Sequence, residues 1–246
     1  MAESAGAYVL YPEQSLRNNP QRCWNWFIER NQLRDGPEPA AILGLVEETC
    51  ARNPIDRSRI FVAGLSAGGA MAAILAEQEP ALFSAVGIMA GIPLHASSDL
   101  AGAYAAMHGD VGPGDITPLL ARHQRPAPDY AKLRVMLWTG DDDSVVAPRN
   151  SSTLARQFLH LLRVDEVNES CERRPEARVT RWRDGSGRVR VELWCIAAMG
   201  HAWSGGSLRG SFTFPPGPRA SEIMMSFFLG GVEERSDVRG ASESEG

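Results

Sequence analysis

Short apolar runs alternate with longer amphipathic stretches along this chain. Residues 60–63 (Ile-Phe-Val-Ala), 85–91 (Ala-Val-Gly-Ile-Met-Ala-Gly) and 133–139 (Leu-Arg-Val-Met-Leu-Trp-Thr) are apolar runs of strand length bounded by turn residues, which predicts buried strands. Between 38 and 53, Ile42, Leu45, Val46, Thr49 and Cys50 recur at i, i+3, i+4, i+7 and i+8, the spacing of an amphipathic helix. Residues 150–162 place Leu154, Phe158, Leu161 and Leu162 on one helical face, and 219–229 turn Ile223, Met224, Phe227 and Phe228 inward. Such alternation predicts βαβ units, hence an α/β fold with a mostly parallel sheet and flanking helices. Residues 177–183 and 188–196, joined through Asp184-Gly-Ser-Gly187, predict a hairpin, and 7–11 is a further β-like run beside Met1. The weakly patterned stretch 92–133, rich in Gly, Pro and polar residues, predicts a lid or binding loop. Residues 1–232 thus read as one α/β domain, and the charged, Ser/Gly-rich 233–246 as a disordered tail.

One stretch organises the rest. The strand at 60–63 runs into Gly64-Leu-Ser-Ala-Gly68, and a small-residue helix follows through Ala76. Strand, G-x-S-x-G and helix together are the sequence form of a nucleophile elbow. A serine on so sharp a turn needs small neighbours two positions to either side, and Gly64 and Gly68 supply them. Ser66 is then the candidate nucleophile, and the amide of Ala67 points at a developing oxyanion.

A serine alone is a poor nucleophile. It needs an imidazole to take its proton and a carboxylate to orient that imidazole. The strand at 133–139 ends in Gly140-Asp-Asp-Asp143, and the strand at 188–196 leads to Gly200-His-Ala-Trp-Ser-Gly-Gly206. The order Ser, Asp, His matches that of α/β-hydrolases, and parallel strands bring their C-terminal ends to one edge. Among the three acids Asp143 is chosen, with Asp141 and Asp142 as alternatives. In Cys23-Trp-Asn-Trp-Phe27, the aromatic side chains either pack the loop down or meet an apolar substrate.

Composition narrows the picture. The net charge of −5, with no dense basic run, argues against nucleic-acid binding. No apolar stretch approaches the roughly 20 residues of a membrane span. The start, Met1-Ala-Glu-Ser, lacks the features of a secretory leader. The four cysteines form no C-x-x-C pair, and Cys50 is expected to be a buried free thiol. His95, His108 and His123 lack metal-ligand spacing and read as surface or loop histidines. No metal or organic cofactor is implied.

Five stretches, Tyr11-Pro-Glu-Gln-Ser15, Cys23-Trp-Asn-Trp-Phe27, Gly64-Leu-Ser-Ala-Gly-Gly-Ala-Met71, Gly140-Asp-Asp-Asp143 and Gly200-His-Ala-Trp-Ser-Gly-Gly206, make this chain resemble the poly(3-hydroxybutyrate) depolymerase/esterase family from about Tyr8 to Leu229. The resemblance implies an α/β-hydrolase fold, hydrolysis of carboxylic esters, an ester or polyester substrate and an extracellular location. Feruloyl and acetylxylan esterases are related alternatives, and a serine peptidase is a more distant one. Ser66, Asp143 and His201 carry over as the triad, and Trp24, Trp26 and Trp203 as candidate contacts to a polyester or aryl ester. Members of the family also have strands before the Tyr-Pro-Glu-Gln loop, one of which ends in a His-Gly-Cys turn that supplies a second oxyanion amide. Nothing before Tyr8 matches these. The chain is therefore expected to be N-terminally truncated relative to the family, with an open sheet edge and with Cys23 deprived of a disulfide partner. A catalytically impaired homologue is the alternative that follows.

Overall fold

The computed structural model describes residues 2–110 and 129–230. A six-stranded sheet is built from β1 (Phe61–Leu65), β2 (Ala85–Met89), β3 (Arg134–Gly140), β4 (Glu169–Arg173), β5 (Ala177–Arg183) and β6 (Val189–Ile196), in the order β1-β2-β3-β6-β5-β4. The first four in that order pair in parallel, and β6-β5-β4 pair antiparallel. The helices are α1 (Pro37–Arg52), α2 (Ala67–Gln78), α3 (Leu100–Met107), α4 (Arg149–Leu162) and α5 (Ala220–Phe228). Two-residue strands β7 (Trp203–Ser204) and β8 (Thr213–Phe214) pair beyond β6.

Residues on neighbouring positions of one strand face opposite layers. Val135 and Leu137 of β3 join a core with Met71, Ile74 and Leu75 of α2 and Leu154 and Phe158 of α4. Met136 and Trp138 join a second core with Met224 and Phe227 of α5. On that second face Trp138 lies beside Trp194 in register, and the rings stack at 4.6 Å and 9°. Both faces of the sheet are therefore covered, which is why β2 and β3 read as unbroken apolar runs.

Several expectations change. Residues 7–11 form no strand; they run extended over the surface with Tyr8, Val9, Leu10 and Tyr11 exposed. β4 went unpredicted because Glu-Ser-Cys-Glu-Arg is polar, as suits a short edge strand. On α1 Ile42 and Leu43 are buried, whereas Leu45 is exposed. His95 is no surface residue. Its Nε2 lies 2.7 Å from Glu77 Oε1 and its Nδ1 lies 2.9 Å from Gln32 Oε1, with the ring buried. His123 and the tail at 233–246 lie outside the described residues. Cys50 is half-buried, and all four cysteines are free thiols.

β1 occupies one end of the sheet, with no strand on its outer side among the described residues. Its residues, Phe-Val-Ala-Gly-Leu, are those of a strand covered on both sides, yet Ala63 is exposed and the other four are only half-buried. It has none of the charges, prolines or bulges that guard natural edges.

Candidate active site

Ser66 follows β1 directly and serves as the N-cap of α2, with φ 57° and ψ −120°. A non-glycine residue there is a strained outlier of the kind that gathers at functional sites. The turn is held from both sides: Ser66 N donates to Met89 O at 2.9 Å, and Ala70 N donates to Ser66 O at 2.9 Å. Gly64 is required because a Cβ on it would strike the backbone carbonyl of Gly68. Gly68 is not required in the same way, since a Cβ there meets nothing within 4 Å. The second close approach belongs instead to Gly69, whose Cβ would lie 3.0 Å from Met89 O.

β3 and β6 carry the other two groups to the same edge. The backbones of their loops are laced together: Asp141 N donates to Ile196 O at 3.0 Å and Asp142 N to Met199 O at 3.1 Å. Gly140 lies so close that an added Cβ would overlap the Met199 carbonyl. Gly140→Ala is therefore expected to push the two loops apart and to destabilise the fold by about 3 kcal/mol or more. A denaturant midpoint equal to wild type would contradict that close approach.

The structure separates the three acids. Asp141 and Asp142 are exposed and Asp143 is buried. Asp143 Oδ1 accepts from Val145 N at 2.9 Å and Val146 N at 2.8 Å, and Oδ2 lies 2.8 Å from His201 Nδ1. Asp141 is committed elsewhere, with Oδ1 accepting from Ala198 N at 2.7 Å. Burial pushes the Asp143 carboxyl up, but hydrogen bonds from His201 and the Val146 and Val145 amides outweigh it, and the net shift is downward. A group depressed on folding stabilises the protein above its unfolded value of about 3.9, and that contribution is lost as pH falls through the folded value. Acid titration of stability should show proton uptake at Asp143 only below the usual carboxylate range, and Asp143→Asn should remove that component.

The aromatic residues divide. Trp26 is 6% exposed, packs edge-on against Phe27 at 5.7 Å and belongs to the core. With so little surface to offer, its expected substrate contact gives way to a structural role. Trp24 is half-buried against the same core. Trp203 is half-buried, with Nε1 donating to Ser221 Oγ at 3.0 Å. A further network went unread in the sequence. Glu38, in the first turn of α1, is buried and accepts from Gln14 Nε2 at 2.7 Å, Asn25 N at 2.8 Å and Asn25 Nδ2 at 2.6 Å. It ties the Pro-Glu-Gln-Ser and Cys-Trp-Asn-Trp loops to the helix N-terminus, where the dipole favours negative charge. A glutamate at the start of a helix was the available signal, but its long-range partners were not legible.

A strained serine at a strand-to-helix turn, with a paired imidazole and carboxylate on the same edge of a mostly parallel sheet, defines an α/β-hydrolase. The profile of the family described as "Esterase PHB depolymerase" matches residues 1–187, and the chain belongs to that family. It is 30% identical over 198 residues to poly(3-hydroxyalkanoate) depolymerase C of Paucimonas lemoignei, covering 79% of this chain and 47% of that protein. It is 23% identical over 165 residues to the probable acetylxylan esterase A of Aspergillus fumigatus, covering 64% of this chain and 44% of the other. The chain thus spans about half the length of these relatives. Among solved structures, an acetyl xylan esterase from Aspergillus awamori superposes with TM-score 0.67 at 18% identity, covering 85% of this chain and 73% of that one. A PHB depolymerase from Penicillium funiculosum superposes with TM-score 0.53 at 18% identity, covering 74% and 55%. These likenesses show the shared α/β-hydrolase fold. Among the described residues no helix is long and apolar enough to cross a membrane.

Proposed function

We propose that this chain is a serine carboxylic-ester hydrolase of the polyhydroxyalkanoate depolymerase type. The observation that carries the reading is the His201–Asp143 pair on the same sheet edge as the strained Ser66. Ser66 Oγ attacks the ester carbonyl while His201 Nε2 takes its proton. Asp143, already hydrogen-bonded to Nδ1, fixes the tautomer and stabilises the imidazolium. The Ala67 amide, first in α2, faces the developing oxyanion. His201 then returns the proton to the departing alkoxide, and water, activated by the same imidazole, releases the acid from the acyl-enzyme. Trp24 and Trp203 are the aromatic surfaces left for an apolar substrate. The resemblance to the depolymerase family supports an extracellular site of action. The test is hydrolysis of 3-hydroxybutyrate oligomers beside acetylated xylan. Release of acetate from xylan with the oligomers left intact would transfer the assignment to the acetylxylan class.

Among the described residues no strand lies on the outer side of β1, which favours a second reading, a sound nucleophile in a weakened site. Only one oxyanion amide, that of Ala67, follows from the elbow, and loss of one donor costs about 10²–10³ in kcat. Against a median enzyme near 10 s⁻¹, turnover of a p-nitrophenyl ester by this chain is expected at about 0.01–0.1 s⁻¹. Labelling of Ser66 by an alkyl phosphonate should still reach one per chain. Turnover near the median rate would show that a second donor is present.

A further inference from the structure

A buried ionisable cluster lies apart from the triad. The His95 side chain is 3% exposed and that of Glu77 is fully buried. His95 Nε2 lies 2.7 Å from Glu77 Oε1, and Nδ1 lies 2.9 Å from Gln32 Oε1. The Gln32 amide is fixed, because its Nε2 donates to Ser97 O at 2.5 Å and a reversed amide would set oxygen against oxygen. Both ring nitrogens therefore face acceptors. A neutral imidazole has one N–H and one lone pair, so either tautomer would press a lone pair against an oxygen. Only the imidazolium, with two donors, fits. Little water can solvate the ring in its place, since the adjoining cavity, lined by Trp26, Ala70, Ile74 and Ile92, is about 10 Å³, room for one molecule at most.

The cluster joins three elements. Glu77 stands in the last turn of α2, the helix that begins beside Ser66. Gln32 closes the 3₁₀ turn Glu29–Gln32, which follows the Cys23–Phe27 loop that carries Trp24. His95 lies on the segment that leaves β2, the strand whose Met89 O accepts from Ser66 N. That segment is pinned again at Leu94, where Gln157 of α4 accepts from the main-chain N at 2.8 Å and donates to the main-chain O at 3.1 Å. His95 itself holds φ 58°, in the left-handed region, and such strain persists only where the surroundings impose it. Tyr130, whose OH donates to the Glu77 main-chain O at 3.1 Å, stays neutral, because burial and then the charge of Glu77 push its phenol up.

We propose that His95 is a pH-sensitive latch: as an imidazolium it ties the 92–97 segment and the Trp24 loop to α2, and its deprotonation releases them. With both donors present, the ring bridges Glu77 to Gln32. Loss of one proton to water removes one of those hydrogen bonds and turns a lone pair toward the oxygen left behind. Rotation of the ring out of the cluster then relieves both the repulsion and the backbone strain. The stabilisation is present while the ring is charged and is lost as pH rises through its deprotonation. The 92–97 segment leaves the sheet at the edge that holds Ser66, so the surroundings of the nucleophile loosen at alkaline pH.

The test is ¹H–¹⁵N correlation of the histidine rings, with the His95 ring assigned by through-bond transfer to its own backbone. At neutral pH His95 is expected to show two protonated ring nitrogens, and to lose one as pH is raised. A single protonated nitrogen at neutral pH overturns the proposal, whether the ring is simply neutral or the shared proton sits on Glu77. Glu77→Gln should strip the second ring proton at neutral pH, because the new amide can donate to Nε2. Denaturant unfolding supplies the second arm. Across the same alkaline step the wild-type folding equilibrium constant should fall about tenfold or more, the worth of a charged hydrogen bond, and His95→Gln, which cannot titrate, should lack that step. An equal fall in both would assign the titration to another group and overturn the latch. The indole N–H resonances of Trp24 and Trp26 should shift with the same pH midpoint as the ring; stationary signals would mean that the charge holds no loop. No readout uses an ester, so the latch and the ester-hydrolase reading stand or fall separately.

Discussion

Ser66→Ala is expected to reduce p-nitrophenyl ester hydrolysis to background and to abolish phosphonate labelling. Loss of the serine from a working triad costs about 10⁶ in kcat, and among the described residues no other serine stands on a strained turn directly after a parallel strand. The fold should survive. Alanine fits the same turn, and the two hydrogen bonds that hold it are made by the main-chain N–H and C=O of residue 66. The strain also predicts a difference between two inactive variants. At φ 57° a Cβ costs on the order of 1 kcal/mol, so Ser66→Gly should be about that much more stable than Ser66→Ala. Equal denaturation midpoints would mean that the backbone strain at this position contributes little. Hydrolysis persisting in Ser66→Ala would move the nucleophile elsewhere.

The elbow was legible because its chemistry is local. Gly64, Ser66 and the small residues of α2 are consecutive, and the turn they make depends on one another. His201 was legible for a related reason, since a histidine among glycines just past a strand stands free of regular structure. The choice among three consecutive aspartates depended on something else. It rested on the place of Asp143 three residues before Val146 and on the family resemblance, and in the turn Asp143 is the one whose carboxylate meets two amides, Val146's among them, and the imidazole. Burial of Trp26 and His95 was out of reach. Their partners, Phe27 and the α2 core for one and Glu77 and Gln32 for the other, assemble through contacts that no periodicity encodes. Residues 7–11 show the converse failure. They have the composition of a strand, but composition does not supply a neighbour, and an unpaired run of this kind stays exposed.

The two ends of the sheet then pose contrasting physical problems. β4 closes one end with charged residues in ion pairs, Glu172 with Arg174 and Arg181, so its edge is solvated and guarded. Among the described residues β1 ends the other side of the sheet, apolar and without a neighbouring strand, and Ser66 is attached to it. A nucleophile on a weakly supported strand is held less rigidly than one in mid-sheet, and pre-organisation is what makes oxyanion donors effective. The low turnover expected for this chain and the full reactivity expected of Ser66 toward phosphonate follow from the same feature.

Asp143→Asn is expected to lower kcat by about 10⁴ while leaving KM and the fold nearly unchanged. The reason lies in the fixed donors around it. The Val145 and Val146 amides require an oxygen at the Oδ1 position, so the new amide must keep its carbonyl there. Its NH₂ group then faces His201 Nδ1, where the carboxylate had accepted a hydrogen bond from Nδ1–H. His201 is forced into the opposite tautomer, with the proton on Nε2, and the base that should receive the Ser66 proton is already occupied. Turning the amide over would set NH₂ against two N–H donors, which is worse. Asp142→Asn, at an exposed side chain, should be neutral, and Asp141→Asn should have a small effect because an amide oxygen can still accept from Ala198 N. ¹⁵N shifts of His201 would report the tautomer directly. A 10⁴-fold loss at Asp141 or Asp142 with Asp143→Asn near wild type would reassign the acid, and loss at Asp143 with the His201 tautomer unchanged would show that charge, not orientation, is what the carboxylate supplies.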